Sequence, residues 1–459
     1  MPAIIAEHAL LPDGWARDVA VEIDDNGRIA AVRPNAPADD IGGVADLARV
    51  QVLLPAAANL HSHTFQRAMA GLAERRGPSD SDSFWTWRET MYRFLDVLTP
   101  DDIEAIAALA FVEMLEAGFS AVAEFHYLHH QPGGAPYDDL GELAGRIAAA
   151  SGTAGIGLTL LPVYYRQGGV DGRALAGGQL RFGNDPDRFA ALLERSEVIA
   201  SVLPADTGMG IAPHSLRAVS ANDLELLSRL RPDAPFHIHA AEQEAEIAEV
   251  ESAFGCRSIE FLLDRFDVGP RWCLIHCTHM TPDETARLAG SGAVAGLCPV
   301  TEANLGDGIF DGANYVAAGG RLGIGSDSNI RITLNEELRQ LEYSQRLRDR
   351  ARIVLASSGQ SVGRSLFDRA LGGGAQALGR DGGAIADGKW ADLVALVPGE
   401  RPAFGTDDLV LDEWIFTGGS HVSEVWSAGR HVVREGRHVS ADTVRARYRK
   451  VLEAIGGRL

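Results

Sequence analysis

The sequence predicts an α/β fold: a (β/α)8 TIM-type barrel with a small β-sandwich domain formed by both chain termini. Three observations predict it. Eight short apolar runs recur between about residues 50 and 330, each unbroken rather than alternating, as parallel strands buried on both faces should be. Helix signals fall between several of these runs, which is the strand–helix alternation of a barrel. Short alternating segments with tight turns occupy the two flanks instead. A doubly wound sheet is the competing arrangement; polar residues at so many run ends favour the barrel.

The N-terminal flank contains VAVEIDDNGRIAAV, two alternating segments joined at Asn26-Gly27, a pair that tolerates the left-handed backbone of a hairpin turn. The barrel runs follow as Val50–Asn59, Ser120–Phe125, Gly155–Pro162, Gly208–Pro213, Pro235–Ala240, Trp272–Cys277, Ala293–Pro299 and Arg321–Ser326. Thr99-Pro100-Asp101-Asp102 opens a helix with an N-cap threonine and proline in the first turn. Ile103, Ile106, Ala110, Met114 and Leu115 keep its period, and Gly118 ends it. Thr281-Pro282-Asp283-Glu284 and Thr333-Leu334-Asn335-Glu336 each fit the capping box. Late in the chain, WADLVALVPG and HVSEVWSAGRHVVREGR read as antiparallel strands, and Ser440–Leu459 as a terminal helix. The expected division is 1–52 with 386–459 as the small β domain and its helix, and 53–385 as the barrel.

Composition narrows the partners. A formal net charge of −21 argues against nucleic acid and against an anionic membrane surface. No apolar run approaches the roughly 18 residues of a membrane span, and the N-terminus lacks the basic start and apolar stretch of a signal peptide. Cys256, Cys273, Cys277 and Cys298 form no C-x-x-C pair, so reduced thiols in the cytoplasm are expected.

The first barrel run ends in NLHSH, with His61 and His63 on one face of a strand end. With 14 histidines in the chain, about 0.4 such H-x-H triplets arise by chance, so this pair alone decides nothing. The other run ends change that. They carry Glu124, His126 and Tyr127; His214 and Arg217; His237, His239 and Glu242 in FHIHAAEQ; His276 and His279; and Asp327 in GIGSDSN. Three imidazoles and a carboxylate suit one borderline divalent ion in an open catalytic site, and Zn2+ is the expected ion. His61, His63, His239 and Asp327 are the expected ligands. His239 is preferred to His237 because it lies nearer the strand's C-terminal end and three residues before Glu242; His237 is read as packed. Glu242 is expected to shuttle a proton once burial raises its pKa. Asp327 is read as accepting the attacking water's proton, and His276 as orienting the nucleophile or polarising the bond attacked. His279 is read as structural.

With H-x-H, H-x-x-E, the sixth-strand histidine and the eighth-strand aspartate in this order, the chain resembles the amidohydrolase superfamily, in its mononuclear deaminase branch. GAIADGKWADLVAL is similar to that superfamily's returning β domain, so the likeness covers nearly the whole chain. Within the branch, HSHTFQRAMAGLAE, DSFWTWRETMYR, AVAEFHYLHH, HSLRAV, HIHAAEQ and CPVTEANLGDGIF resemble the formimidoylglutamate deiminases of histidine degradation. That resemblance implies hydrolysis of N-formimino-L-glutamate to N-formyl-L-glutamate and ammonia. Two-metal members commonly bridge their ions with a carbamylated lysine; here Lys389 and Lys450 are the only lysines, so a single ion is expected. A dicarboxylate substrate needs local cations in so acidic a chain, and Arg88 and Arg217 could each hold a carboxylate in a bidentate contact. By resemblance, Gln66, Tyr127 and His214 are also substrate contacts. Where the family usually has histidine, this chain has Asn329, which bears on substrate preference. The competing activity is deamination of a purine or adenosine-type substrate, whose site would want an aromatic slot rather than two arginines. A homodimer is the expected assembly.

Overall fold

The computed structural model describes residues 2–36, 47–75, 84–400 and 407–458. Its centre is a (β/α)8 barrel of the TIM type. Ala57–Ser62, Phe119–His126, Gly157–Tyr164 and the short pair Gly208–Met209 and Ala212–Pro213 run parallel in one half; Phe236–Ala240, Trp272–His276, Val294–Leu297 and Arg321–Ile324 run parallel in the other. Parallel bridges Ile211↔Phe236 and Ser62↔Asp327 join the halves at both seams. Nearly every residue of these strands is buried, the condition that unbroken apolar runs report.

Two runs differ from the expected strands. Val50–Asn59 is two strands: Leu47–Pro55 pairs with Ala3–Leu11 and Leu393–Val397 in the terminal sheet, and Ala57–Ser62 opens the barrel. Val52–Pro55 and Ala57–Ser62 are buried, so the apolar run crosses from sheet to sheet with no polar signal at the break. Gly208–Pro213 is likewise split at Gly210, where a Cβ would stand 2.5 Å from the Pro235 carbonyl oxygen and 2.6 Å from Leu161 Cδ2. Inside the barrel, Leu60 occupies the space that side chains at Gly296 and Gly323 would need, at 2.8 and 2.5 Å.

The flanks form one hydrogen-bonded sheet of eight strands. Its order is Arg437–His438, Arg430–Arg434, His421–Ser427, Leu393–Val397, Leu47–Pro55, Ala3–Leu11, Gly14–Ile23 and Ile29–Arg33. Ile4, Val19, Val21, Leu53, Leu393 and Trp426 share an apolar cluster separate from the main core, so both ends of the chain bury their inward faces together. Arg380 ties this sheet to the barrel. It donates to Asp392 at 2.6 and 2.9 Å and to Asp206 at 3.1 Å, and Arg430 reaches the same Asp206 at 2.7 and 2.8 Å. Arg380, Asp206 and Asp392 are all nearly buried, and a buried charge stays tolerable only while its partners remain.

Helix ends follow local chemistry closely but not everywhere. Pro100–Glu116 and Pro282–Ser291 start on the capping boxes of Thr99/Asp102 and Thr281/Glu284. Thr333 precedes Leu334–Asp349 without the expected box: its hydroxyl donates to the Glu336 carboxylate at 3.1 Å and caps no backbone amide. Arg331 pairs with that same carboxylate, a partner the four-residue pattern could not reveal. The terminal helix spans Ala441–Gly456, and Ser440 makes no side-chain cap.

Candidate active site

The strand ends converge. His61 lies one residue before the end of the first barrel strand, His63 follows that strand, His239 lies near the end of the fifth, and Asp327 follows the eighth. All four are buried, and one ligand atom from each lies within 4.8 Å of every other. His239 Nε2 is 3.1 Å from His61 Nε2, and Asp327 Oδ1 is 3.5 Å from His61 Nε2 and 3.3 Å from His63 Nε2.

The tautomers decide what this cluster wants. His63 Nδ1 donates to the Phe125 carbonyl at 3.0 Å, and His239 Nδ1 to the His214 carbonyl at 2.9 Å. A carbonyl only accepts, so both rings carry their hydrogen on Nδ1 and turn a bare Nε2 lone pair inward. Those lone pairs face a carboxylate and a third imidazole. Burial lowers the pKa of all three histidines, with the charge of His63 adding to the effect on His61, which falls to about 3. Burial opposes ionisation of Asp327, but the neighbouring imidazoles of His61, His63 and His276 outweigh it and hold the group below the ordinary carboxylate range. Neutral imidazoles and an ionised carboxylate are the protonation states that metal ligands need. The donor set therefore fits a divalent metal ion.

His276, Cys298 and Asp327 form a second close group. Burial opposes charge on His276, but Glu242 and Glu302 raise its pKa to about 10. Its two ring nitrogens face the carboxylates of Glu302 and Glu242, at 3.2 and 3.9 Å.

The backbone around the cluster is unusual. Ala241, His276, Cys277, Asp327 and Asn329 are non-glycine residues with φ between 44 and 73°, and such strain gathers where tertiary structure holds a functional geometry. Asn329, expected to bear on substrate preference, is fully buried and does not line the cavity. Its amide donates to Ser62 Oγ and to the Asp327 carbonyl, both at 3.1 Å, and its Oδ1 accepts from Ser326 at 2.6 Å. Asn59 donates to the same Ser326 hydroxyl at 2.6 Å. Asn329 thus braces the first strand against the eighth.

Beside the cluster opens a cavity. His63, His239 and Asp327 face it, with Glu242, His276, Gln66, Arg88, Tyr127, His214 and Arg217 on its walls. Glu242 Oε1 lies 3.9 Å from His276 Nε2, and its Oε2 is 3.4 Å from Arg217 Nη2. Burial raises the Glu242 pKa, His276 and Arg217 oppose the rise, and Asp327 reinforces it. Gln66 donates to the Tyr127 hydroxyl at 2.8 Å, and His214 Nδ1 lies 3.0 Å from Ser215 Oγ. The Arg88 guanidinium lies over Trp85, 4.7 Å from the ring centre. His237 instead bonds the Ala377 carbonyl at 2.8 Å, and neither it nor His279 lines the cavity.

Other wall residues escaped the sequence reading. Phe84, Trp87 and Met91 line the cavity from the helix that carries Arg88, and their i, i+3, i+7 spacing was available to find them. Tyr165, just after the third strand, also lines it; an aromatic hydroxyl at a strand end was the signal. Tyr92, Phe182 from a loop and Leu305 at the end of helix Pro299–Leu305 also line it.

Buried histidines outside the cluster make the fold sensitive to acid. Burial lowers His126 to about 3 and His237 to about 4, the Ala377 carbonyl partly offsetting the latter. Unfolded, each titrates at about 6.5. Above that pH both states are neutral and the stability is fully present. As pH falls toward 4 the unfolded chain takes up protons the folded one refuses, costing up to about 1.4 kcal/mol per pH unit per group. The urea midpoint is expected to fall between about pH 7 and pH 5, and to fall less in His126→Gln; an equal drop in both proteins would contradict this.

The amidohydrolase family model matches residues 52–432. The chain belongs to the amidohydrolase family. Residues 1–41 match a second model, described as formimidoylglutamate deiminase HutF, N-terminal domain. The chain is 49% identical over 450 residues to formimidoylglutamate deiminase of Pseudomonas aeruginosa, covering 96% of this chain and 97% of that one. The crystal structure of an amidohydrolase from Brucella melitensis superposes with a TM-score of 0.94 at 51% identity, covering 99% of this chain and all of that one. A zinc-bound adenosine deaminase from Xanthomonas campestris superposes with a TM-score of 0.82 at 22% identity over 99% of this chain and 98% of that one, a likeness of fold alone.

Proposed function

We propose that this chain hydrolyses N-formimino-L-glutamate to N-formyl-L-glutamate and ammonia in histidine degradation, using one Zn2+ held by His61, His63, His239 and Asp327. The observation that carries the proposal is a single cavity bounded by that cluster, by Glu242 and His276, and by the two guanidinium groups of Arg88 and Arg217. The 49% identity to the Pseudomonas aeruginosa enzyme supports the same substrate. Three imidazoles and one carboxylate favour zinc over harder ions. With no lysine before Lys389, the barrel has no side chain to form a carbamate bridge, so one ion suffices.

A divalent ion bound there supplies a water activated near neutral pH. Arg217 and Arg88 hold the two carboxylates of the substrate, and Gln66, Tyr127 and His214 hydrogen-bond its polar atoms. Water adds across the formimino C=N bond, and Asp327, ionised in the buried site, takes the proton that water loses. Glu242, its pKa raised by burial, gives its proton to the terminal nitrogen to form the amino-alcohol. Asp327 then returns its proton to that nitrogen while Glu242 takes the hydroxyl proton, the C–N bond breaks, and ammonia leaves as the formyl C=O forms. The cationic His276 beside Glu242 polarises the group under attack.

The direct test measures ammonia release from N-formimino-L-glutamate, guanine and S-adenosylhomocysteine. Turnover of the first is expected; turnover of a purine substrate alone would replace the proposal. Arg88→Met is expected to raise KM roughly 10- to 100-fold, the worth of one charge-assisted carboxylate contact, with kcat little changed. An unchanged KM would remove Arg88 from the binding site.

A further inference from the structure

His276 leaves its strand with φ of 73°, and Cys277 follows at 52°. The ring therefore depends on its nitrogen partners for orientation. On the cavity side, Nε2 lies 3.9 Å from Glu242 Oε1. On the far side, Nδ1 lies 3.2 Å from Oε1 of Glu302, in the first turn of helix Pro299–Leu305. A carboxylate oxygen accepts, so the hydrogen belongs to Nδ1. The same Oε1 accepts from the Cys298 amide at 2.9 Å, which fixes that oxygen to the backbone at the end of the seventh strand. Glu302 is buried and stands outside the walls of the active-site cavity, so it reaches the chemistry only through His276.

We propose that Glu302 is a positioning residue: by holding Nδ1–H of His276 from a backbone-anchored oxygen, it points Nε2 at Glu242 and the reacting group. The effect on turnover rests on the deimination reading above; the hydrogen bond itself does not. Outer partners of this kind typically set activity by about 10- to 100-fold. A misaimed imidazole slows the step while leaving substrate binding intact.

The test compares wild type with Glu302→Leu, Glu302→Gln and Glu302→Asp for kcat, KM, zinc content and melting temperature. The leucine variant is expected to lose roughly 10- to 100-fold in kcat with KM and zinc content unchanged. Glutamine keeps an acceptor for both donors and is expected to recover most of that loss. Aspartate, one methylene short of spanning Cys298 and His276, is expected to fall below glutamine. Wild-type kcat in the leucine or the aspartate variant, or losses confined to KM or zinc content, would overturn the proposal. Should the leucine variant not fold, the aspartate and glutamine pair decides in the same way. Histidine ¹⁵N NMR gives a readout free of substrate: a His276 Nδ1–H signal is expected in wild type, assigned by its loss in His276→Gln and displaced in Glu302→Asp. Its absence from wild type would overturn the proposal, whereas a wild type that shows the signal but releases no ammonia would overturn only the deimination reading.

Discussion

Glu242→Gln is expected to bind metal normally and to lose roughly 10²–10⁴-fold in kcat, the usual worth of a positioned general acid–base. The substitution is nearly isosteric and leaves an oxygen to accept from Arg217, which lies 3.4 Å from the native carboxylate. It removes the one thing the environment prepares, a carboxyl group whose proton affinity burial raises. His276 and Arg217 limit that rise, so the group can release its proton as well as take one up. Because Arg88 and the other walls of the cavity are untouched, KM is expected to move little. Steady-state ammonia release and metal analysis on the same protein check this, and near-normal turnover would take Glu242 out of the mechanism.

Removing the metal is expected to have the larger effect. Treatment with a zinc chelator is expected to abolish ammonia release, and stoichiometric zinc to restore it. His239→Ala is expected to leave occupancy well below one ion per chain. The reason lies in the tautomers: the carbonyls of Phe125 and His214 commit His63 and His239 to inward lone pairs, and those lone pairs converge with the Asp327 carboxylate on a point that a cation would fill. The metal-free protein is also expected to melt lower, since a ligand that binds only the folded state stabilises it by mass action. Full activity in chelated protein with no detectable metal would refute the metal site and its part in the reaction.

Much of this was legible along the chain because it is written locally. Strands buried on both faces read as apolar runs, and capping residues such as Thr99 and Thr281 act within four positions of themselves. Where partners come from elsewhere, local reading stopped. Val50–Asn59 conceals the passage from one sheet to another, since the chain is buried on both sides of the break, from Val52 to Asn59. Thr333 loses its capping role once Arg331 joins its partner Glu336. Asn329 stands beside Asp327 in the chain, but nothing local says that its side chain bonds the hydroxyls of Ser62 and Ser326. Glu302 sits within a segment whose resemblance was noted, yet nothing in the segment says that it touches His276, 26 residues earlier.

From its sequence alone, this protein's strand and helix alternation, its candidate ligands and its need for local cations could be read, because burial period, donor chemistry and net charge are properties of residues and their spacing. Only the tertiary structure decided which lone pairs face one another, which histidine sits between two carboxylates and which polar side chains brace neighbouring strands. Those depend on the direction of single hydrogen bonds between residues far apart in the chain, and a one-dimensional order carries no record of direction.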